Sequence, residues 1–205
     1  MMAAVAARGY EPTGYDRSPE MIAYAAERLR GLGGVVLRGD MASFRPPGTY
    51  DAAINLVNSI GYLLEDDDVV GHLGRVADAL LPGAVYIVQL SYGGEPPERA
   101  SFGPWTNRRG ELETTLTWRV AREDGAAKRS HQECRIEAVR GTERRVIEEA
   151  HVLRLWTQED FDRLLDASPF ELEAVYYDRF EEHPLEEPRT GELGNLYHVL
   201  RRKPR

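Results

Sequence analysis

A chain of 205 residues with 42% apolar side chains is long enough to bury a sizeable core, and its length predicts a single domain, 1–205. The net charge of −8, from 26 basic and 34 acidic residues, argues against nucleic acid as the main partner, because phosphate binding wants a basic footprint. No apolar run approaches the ~18–20 residues of a membrane span, and MMAAVAARGYEP is too short and too weakly basic for a secretory signal.

Cys134 stands alone, so no internal disulfide is available, and no Cys/His pair has zinc spacing. His72, His131, His151, His183 and His198 are scattered and read as surface or core residues. The expectation is a cytoplasmic protein without a structural metal.

The first ninety residues alternate strand and helix. YEPTGYD (10–16) is strand-like, and Ser18 then supplies an N-cap with Pro19 at the first helical position. Met21, Ala25 and Leu29 recur every four residues as one apolar face, and Gly31, Gly33 and Gly34 stop the helix. VVLR (35–38) runs into GDM (39–41), and PPG (46–48) breaks the chain before a third strand, YDAAINLV (50–57). Asp66, Asp67 and Asp68 load the start of a helix with the apolar face Val69, Leu73, Val76, Ala77 and Leu80. AVYIVQL (84–90) follows as a continuous apolar strand. Apolar strands separated by helices predict a doubly wound, Rossmann-like α/β sheet covered on both faces.

After residue 90 the pattern changes. LETTLTWRV (112–120), HQECRIEAV (131–139) and RVIEEAHVLRLW (145–156) predict a three-strand antiparallel insertion, spanning about 101–156 with its flanks. Thr157 opens a helix with a capping-box pattern before Phe161, Leu164 and Leu165. ELEAVYYD (171–178) and NLYHVLRRK (195–203) are placed to close the sheet as an antiparallel pair.

In doubly wound sheets ligands bind beyond the carboxyl ends of the strands. Asp16, Asp40 and the stretch Asn55 to Ser59 fall at three such ends. An acid ending a strand can accept both hydroxyls of a ribose, and an acid such as Asp40 can accept from an adenine amino group. Each alone is common as a cap or turn residue; in order and at this spacing they form a pattern.

GYDRSPEMIAYAAERL, LRGDMASF, YDAAINLVNSIGYL and LLPGAVYIVQL together resemble the class I S-adenosylmethionine-dependent methyltransferases, in particular the small-molecule N-methyltransferases of the amino-sugar and glycine type. The resemblance covers nearly the whole chain. It implies that Asp16 holds the ribose hydroxyls, that Met21 packs near the adenosine, and that Asp40 takes the adenine amino group while the Met41 N–H meets the ring. It places Asn55 and Leu56 beside the methionine part of S-adenosylmethionine, and Asn58, Ser59 and Tyr62 toward a small-molecule acceptor, an amine. Against this stand plainer readings: Met21 as helix core, and Tyr62, Tyr92, Trp105, Trp118 and Trp156 as core or lid packing. The turn LPGAVYIV departs from the family's Leu-x-Pro-Gly-Gly in having Ala84 for the second Gly. Methyl transfer from a sulfonium needs little acid–base chemistry beyond in-line positioning, so no residue is assigned as catalytic.

The family's Gly-x-Gly-x-Gly loop between first strand and first helix has no counterpart in 1–205. MMAAVAARG reads as the helix that follows that loop. The expectation is therefore an N-terminally incomplete sheet, split in two with open inner edges, from a shortened or degenerate form of a longer protein with weak or no cofactor binding. The rival readings are a pseudo-methyltransferase that self-associates or pairs with an intact homologue, and a nicotinamide-dependent oxidoreductase.

Overall fold

Ser18 and Pro19 do locally what their chemistry dictates. In the computed structural model, which describes residues 1–92, 101–177 and 194–204, the Ser18 hydroxyl accepts the Met21 N–H at 3.1 Å and helix α2 runs from Pro19 to Leu29. The chain divides into two compact units, Met1–Pro47 and Gly48–Arg205. In the first, α1 (Met2–Ala6) and α2 accompany a two-stranded parallel sheet of β1 (Thr13–Asp16) and β2 (Val35–Arg38). The register pairs Thr13 with Val35 and Asp16 with Arg38, so both strands end at the same level.

The second unit holds a four-stranded sheet in the order β3 (Tyr50–Asn55), β4 (Leu80–Tyr92), β10 (Gly194–Arg202), β9 (Phe170–Tyr177). β3 and β4 are parallel, while β10 is antiparallel to both its neighbours, closing the sheet as predicted. Helices α3 (Asp66–Ala79) and α4 (Gln158–Asp166) pack with it. α3 buries Val69, Leu73, Val76 and Ala77, as its periodicity predicts, and α4 buries Phe161, Leu164 and Leu165. Thr157 caps α4 by accepting the Asp160 N–H at 3.2 Å. Trp156, Tyr86, Phe161, Phe170, Leu90 and Leu200 are among the largest members of the buried core, each side chain of this size contributing about 1.5–3 kcal/mol.

A second four-stranded sheet, fully antiparallel, is ordered β5 (Ser101–Arg109), β6 (Leu112–Asp124), β7 (Arg129–Arg140), β8 (Glu143–Arg154). The expected insertion is present but has four strands where three were read. β5 was missed because Gly103 and Pro104 interrupt its apolar pattern; they sit at a register shift on an edge strand, where a missing N–H is tolerated. The alternation of β6–β8 sorts the side chains by face. One face carries the cross-strand ion pairs Arg108–Glu113, Arg119–Glu133, Arg135–Glu148 and Arg144–Glu137. The other carries Leu116, Trp118, Ile136, Ile147 and His151.

Two further expectations need correction. Burial on both faces holds for much of β4, whereas β1, β2 and β3 are half-buried or exposed along their lengths. Met21 is 53% exposed and therefore not helix core; of its apolar stripe only Leu29 is buried. Asp178 and His183 lie outside the described residues. Among those described, no helix is long and apolar enough to cross a membrane.

Candidate functional site

At the carboxyl end of β1 the Asp16 carboxylate accepts the Ser18 N–H through Oδ1 at 2.9 Å, and its backbone carbonyl accepts the Gly39 N–H at 3.0 Å. The second carboxylate oxygen has no protein partner among the described residues. At the end of β2, Asp40 builds its own turn: Oδ1 accepts the Ala42 N–H at 2.9 Å, and the backbone carbonyl accepts from Phe44 at 2.7 Å. Gly39 is required there, because a Cβ at that position would stand 2.5 Å from the Phe44 ring. Phe44 in turn packs on Tyr15, with ring centroids 4.5 Å apart.

Arg17, Ser18, Arg38, Gly39 and Asp40 line a cleft of about 570 Å³, the size range of a small-molecule site. Arg17 Nε approaches Asp40 Oδ2 at 3.3 Å, but its side chain is 77% exposed, and such a surface pair is worth little, ~0–1 kcal/mol. A polar ligand can displace or share it. Two carboxylates at neighbouring strand ends, one with an unengaged oxygen, suit the vicinal hydroxyls and exocyclic amine of an adenosine. The residues present fit the nucleoside part of the expected cofactor.

The second unit holds the other predicted residues. After β3 the chain turns sharply through Val57 (φ 58°) and Asn58 (φ 50°) into a 3-10 turn, Ser59–Tyr62. Two consecutive non-glycine residues in the left-handed region, one of them β-branched, are a strained arrangement of the kind held in place around functional sites. Four hydrogen bonds that involve side chains hold it. Gln89 Oε1 accepts the Val57 N–H at 2.7 Å and Asn55 Oδ1 the Ile60 N–H at 3.1 Å. Asn58 Oδ1 accepts the Ser91 N–H at 3.3 Å, and Ser59 Oγ donates to the Leu56 carbonyl at 2.8 Å. Ser91 Oγ in turn donates to Asn195. Val57 itself is 81% exposed, so packing is not what imposes its conformation.

Tyr62 ends this turn, and its hydroxyl lies 2.9 Å from His151 Nδ1 on β8. The His151 imidazole stacks on Trp118, with centroids 4.9 Å apart and planes 20° apart, and its Nε2 lies 3.7 Å from Glu149. Trp118 Nε1 donates to Gln132, whose amide donates to Ser130 Oγ at 2.9 Å. Burial first, then the neighbouring Glu149 and Cys134, push the Tyr62 phenol above its ordinary range.

Of the predicted residues, Asp16, Asp40 and Met41 are gathered at the ends of β1 and β2 in one unit, with Met21 on α2 beside them in sequence. Asn55, Leu56, Asn58, Ser59 and Tyr62 share one turn in the other. Sequence reasoning missed Gln89, Ser91 and His151. Gln89 sits inside an apolar run where it reads as strand, and His151 lies 89 residues from its partner with no motif to link them. Among the described residues no group of three or more His, Cys, Asp or Glu side chains is arranged to hold a metal ion.

The fold is that of the class I S-adenosylmethionine-dependent methyltransferases, as the sequence resemblance implied. The chain superposes on an S-adenosylmethionine-dependent methyltransferase from Clostridium acetobutylicum with a TM-score of 0.77, at 16% identity over 95% of this chain and 76% of that one. It superposes on the sugar N-methyltransferase KedS8 from Streptoalloteichus with a TM-score of 0.69, at 18% identity over 99% and 84%. For CalS10, an amino pentose methyltransferase from Micromonospora echinaspora with S-adenosylmethionine bound, the TM-score is 0.67, at 17% identity over 98% and 87%. No protein-family model matches the sequence, and no curated protein matches it.

Proposed function

We propose that this protein is an S-adenosylmethionine-dependent methyltransferase that transfers a methyl group to the amine of a small molecule. The observation that carries the reading is the pair Asp16 and Asp40, at and just beyond the carboxyl ends of adjacent parallel strands, with Asp40 lining a cleft of about 570 Å³. Asp16 holds the ribose hydroxyls, Asp40 accepts from the adenine amino group beside the Met41 N–H, and the exposed Met21 covers the adenosine. Asn55 and Leu56 hold the methionine part, and Asn58, Ser59 and Tyr62 receive the acceptor. The bound cofactor supplies an activated sulfonium methyl, so the chain's own work is to position the acceptor in line with it.

On this reading residues 1–205 act as one methyltransferase domain in which 101–156 is a lid-like insertion. The solved sugar N-methyltransferase and amino pentose methyltransferase support an amine among possible acceptors. The protein acts without membrane or nucleic acid, in the cytoplasm, and open strand edges favour a homo-oligomer or a complex with an intact homologue. The test is transfer of labelled methyl from S-adenosylmethionine to a panel of amino sugars, amino acids and matched alcohols. Label on amines and not on the alcohols supports the reading; label on alcohols alone overturns the choice of acceptor, and no label on any acceptor overturns the reading as a whole.

A further inference from the structure

The second unit contains a chain of proton-exchanging groups that methyl transfer as such does not require. Tyr62 stands 46% exposed at the end of the strained turn after β3, its hydroxyl 2.9 Å from His151 Nδ1. The imidazole side chain is only 19% exposed, is fixed by the stacked Trp118 ring, and has Glu149 at 3.7 Å from Nε2. Trp118 is itself tied down through Gln132 and the buried Ser130. A solvent-accessible phenol is therefore backed by a mostly buried imidazole in fixed orientation, with a carboxylate on its far side. That is the order of groups a proton needs in order to leave a cationic ligand.

We propose that Tyr62 and His151 take the proton from the acceptor, which enters as an ammonium ion. The inference rests on the methyltransferase reading and adds the charge state of the acceptor to it. The ammonium N–H bond breaks as Tyr62 Oη takes its proton, and the Tyr62 O–H bond breaks as that proton passes to His151 Nδ1. The phenol is regenerated, the imidazole becomes imidazolium facing Glu149, and the amine keeps the electron pair that a sulfonium methyl accepts. Tyr62 touches the acceptor; His151 acts through it. The titratable groups about the pair are Glu149 from β8 itself, 3.7 Å from the imidazole, and Cys134 from β7, which acts on the Tyr62 phenol and whose own thiol burial holds in the protonated form. The plainer alternative is that the pair only ties β8 to the turn.

Three measurements on the full chain separate these accounts. The ¹⁵N spectrum of His151, assigned with His151→Gln, is expected to place the ring proton on Nε2, with Nδ1 bare and accepting; a proton on Nδ1 overturns the proposal whatever the activity. Affinity for S-adenosylhomocysteine is expected to be the same in the parent, His151→Gln and Tyr62→Phe. With saturating donor at neutral pH, kcat/KM toward a basic alkylamine is expected to fall about 100-fold in either variant, as loss of a proton acceptor does. Toward a weakly basic amine, already neutral at that pH, it is expected to change less than about threefold in His151→Gln, and raising the pH is expected to restore that variant's alkylamine rate. Equal losses on both amines, or no loss on either, overturn the proposal. A parent chain that neither binds S-adenosylhomocysteine nor transfers methyl overturns the methyltransferase reading itself, and the relay with it.

Discussion

Asp66, at the start of α3, receives hydrogen bonds from two arginines, and these set its titration. Arg154 first, then Arg163, hold its carboxyl down to about 2. The Arg154 side chain is only 1% exposed, donates also to the Leu64 carbonyl and lies 4.9 Å over the Trp156 ring. Because the folded carboxyl titrates below its ordinary range, the unfolded chain takes up the proton first. The stabilisation is therefore complete above the ordinary carboxylate range and is lost as pH falls toward about 2. Asp66→Ala leaves the Arg154 guanidinium buried without its carboxylate and is expected to cost about 2 kcal/mol, less than for a fully buried pair because Asp66 is 44% exposed. Urea unfolding at neutral pH and at pH about 2 checks this: the difference between parent and variant should shrink in acid. At the nucleoside end, Asp16→Asn is expected to weaken S-adenosylhomocysteine binding about tenfold, the scale of one hydrogen bond to a charged group, with the circular dichroism spectrum unchanged.

The elements themselves divide into those the sequence announces and those that tertiary contacts decide. Ser18 fixes the start of α2, and Thr157 the start of α4, by hydrogen bonds within three residues; both were legible. Ser18→Ala is expected to cost about 1 kcal/mol in urea unfolding. The stripe Met21, Ala25, Leu29 was legible as helix but not as core, since periodicity gives the face of a helix and says nothing about what covers it. β5 was hidden by Gly103 and Pro104. The turn at Val57 was hidden differently: valine is among the residues least suited to φ 58°, and only the hydrogen bonds from Asn55, Asn58 and Gln89 explain why it stays there. Val57→Gly is therefore expected to leave stability within about 1 kcal/mol of the parent or to raise it, against the usual loss for glycine in a folded segment. Asp16, Asp40 and the 55–62 turn were legible because each lies next to a recognisable strand end. His151 was not, because its role depends on a partner 89 residues away.

For the whole molecule, the sheets carry a further consequence. Among the described residues β1 pairs only with β2 and β3 only with β4, so each offers one open edge, and Ile54 on β3 stands 47% exposed. Open parallel edges with apolar side chains are templates for another strand. Sedimentation over a range of concentrations is expected to show reversible self-association, and a monomer at all concentrations would remove that expectation. The fold is one that solved methyltransferases share, and the proposed chemistry rests on Asp16 and Asp40 in one unit and on the strained turn with Tyr62 and His151 in the other. The most direct test of that account is calorimetric titration of the full chain with S-adenosylhomocysteine, alone and in competition with oxidised nicotinamide dinucleotide. We expect saturable one-site binding and no displacement by the dinucleotide. No saturable binding, or preference for the dinucleotide, would contradict the account.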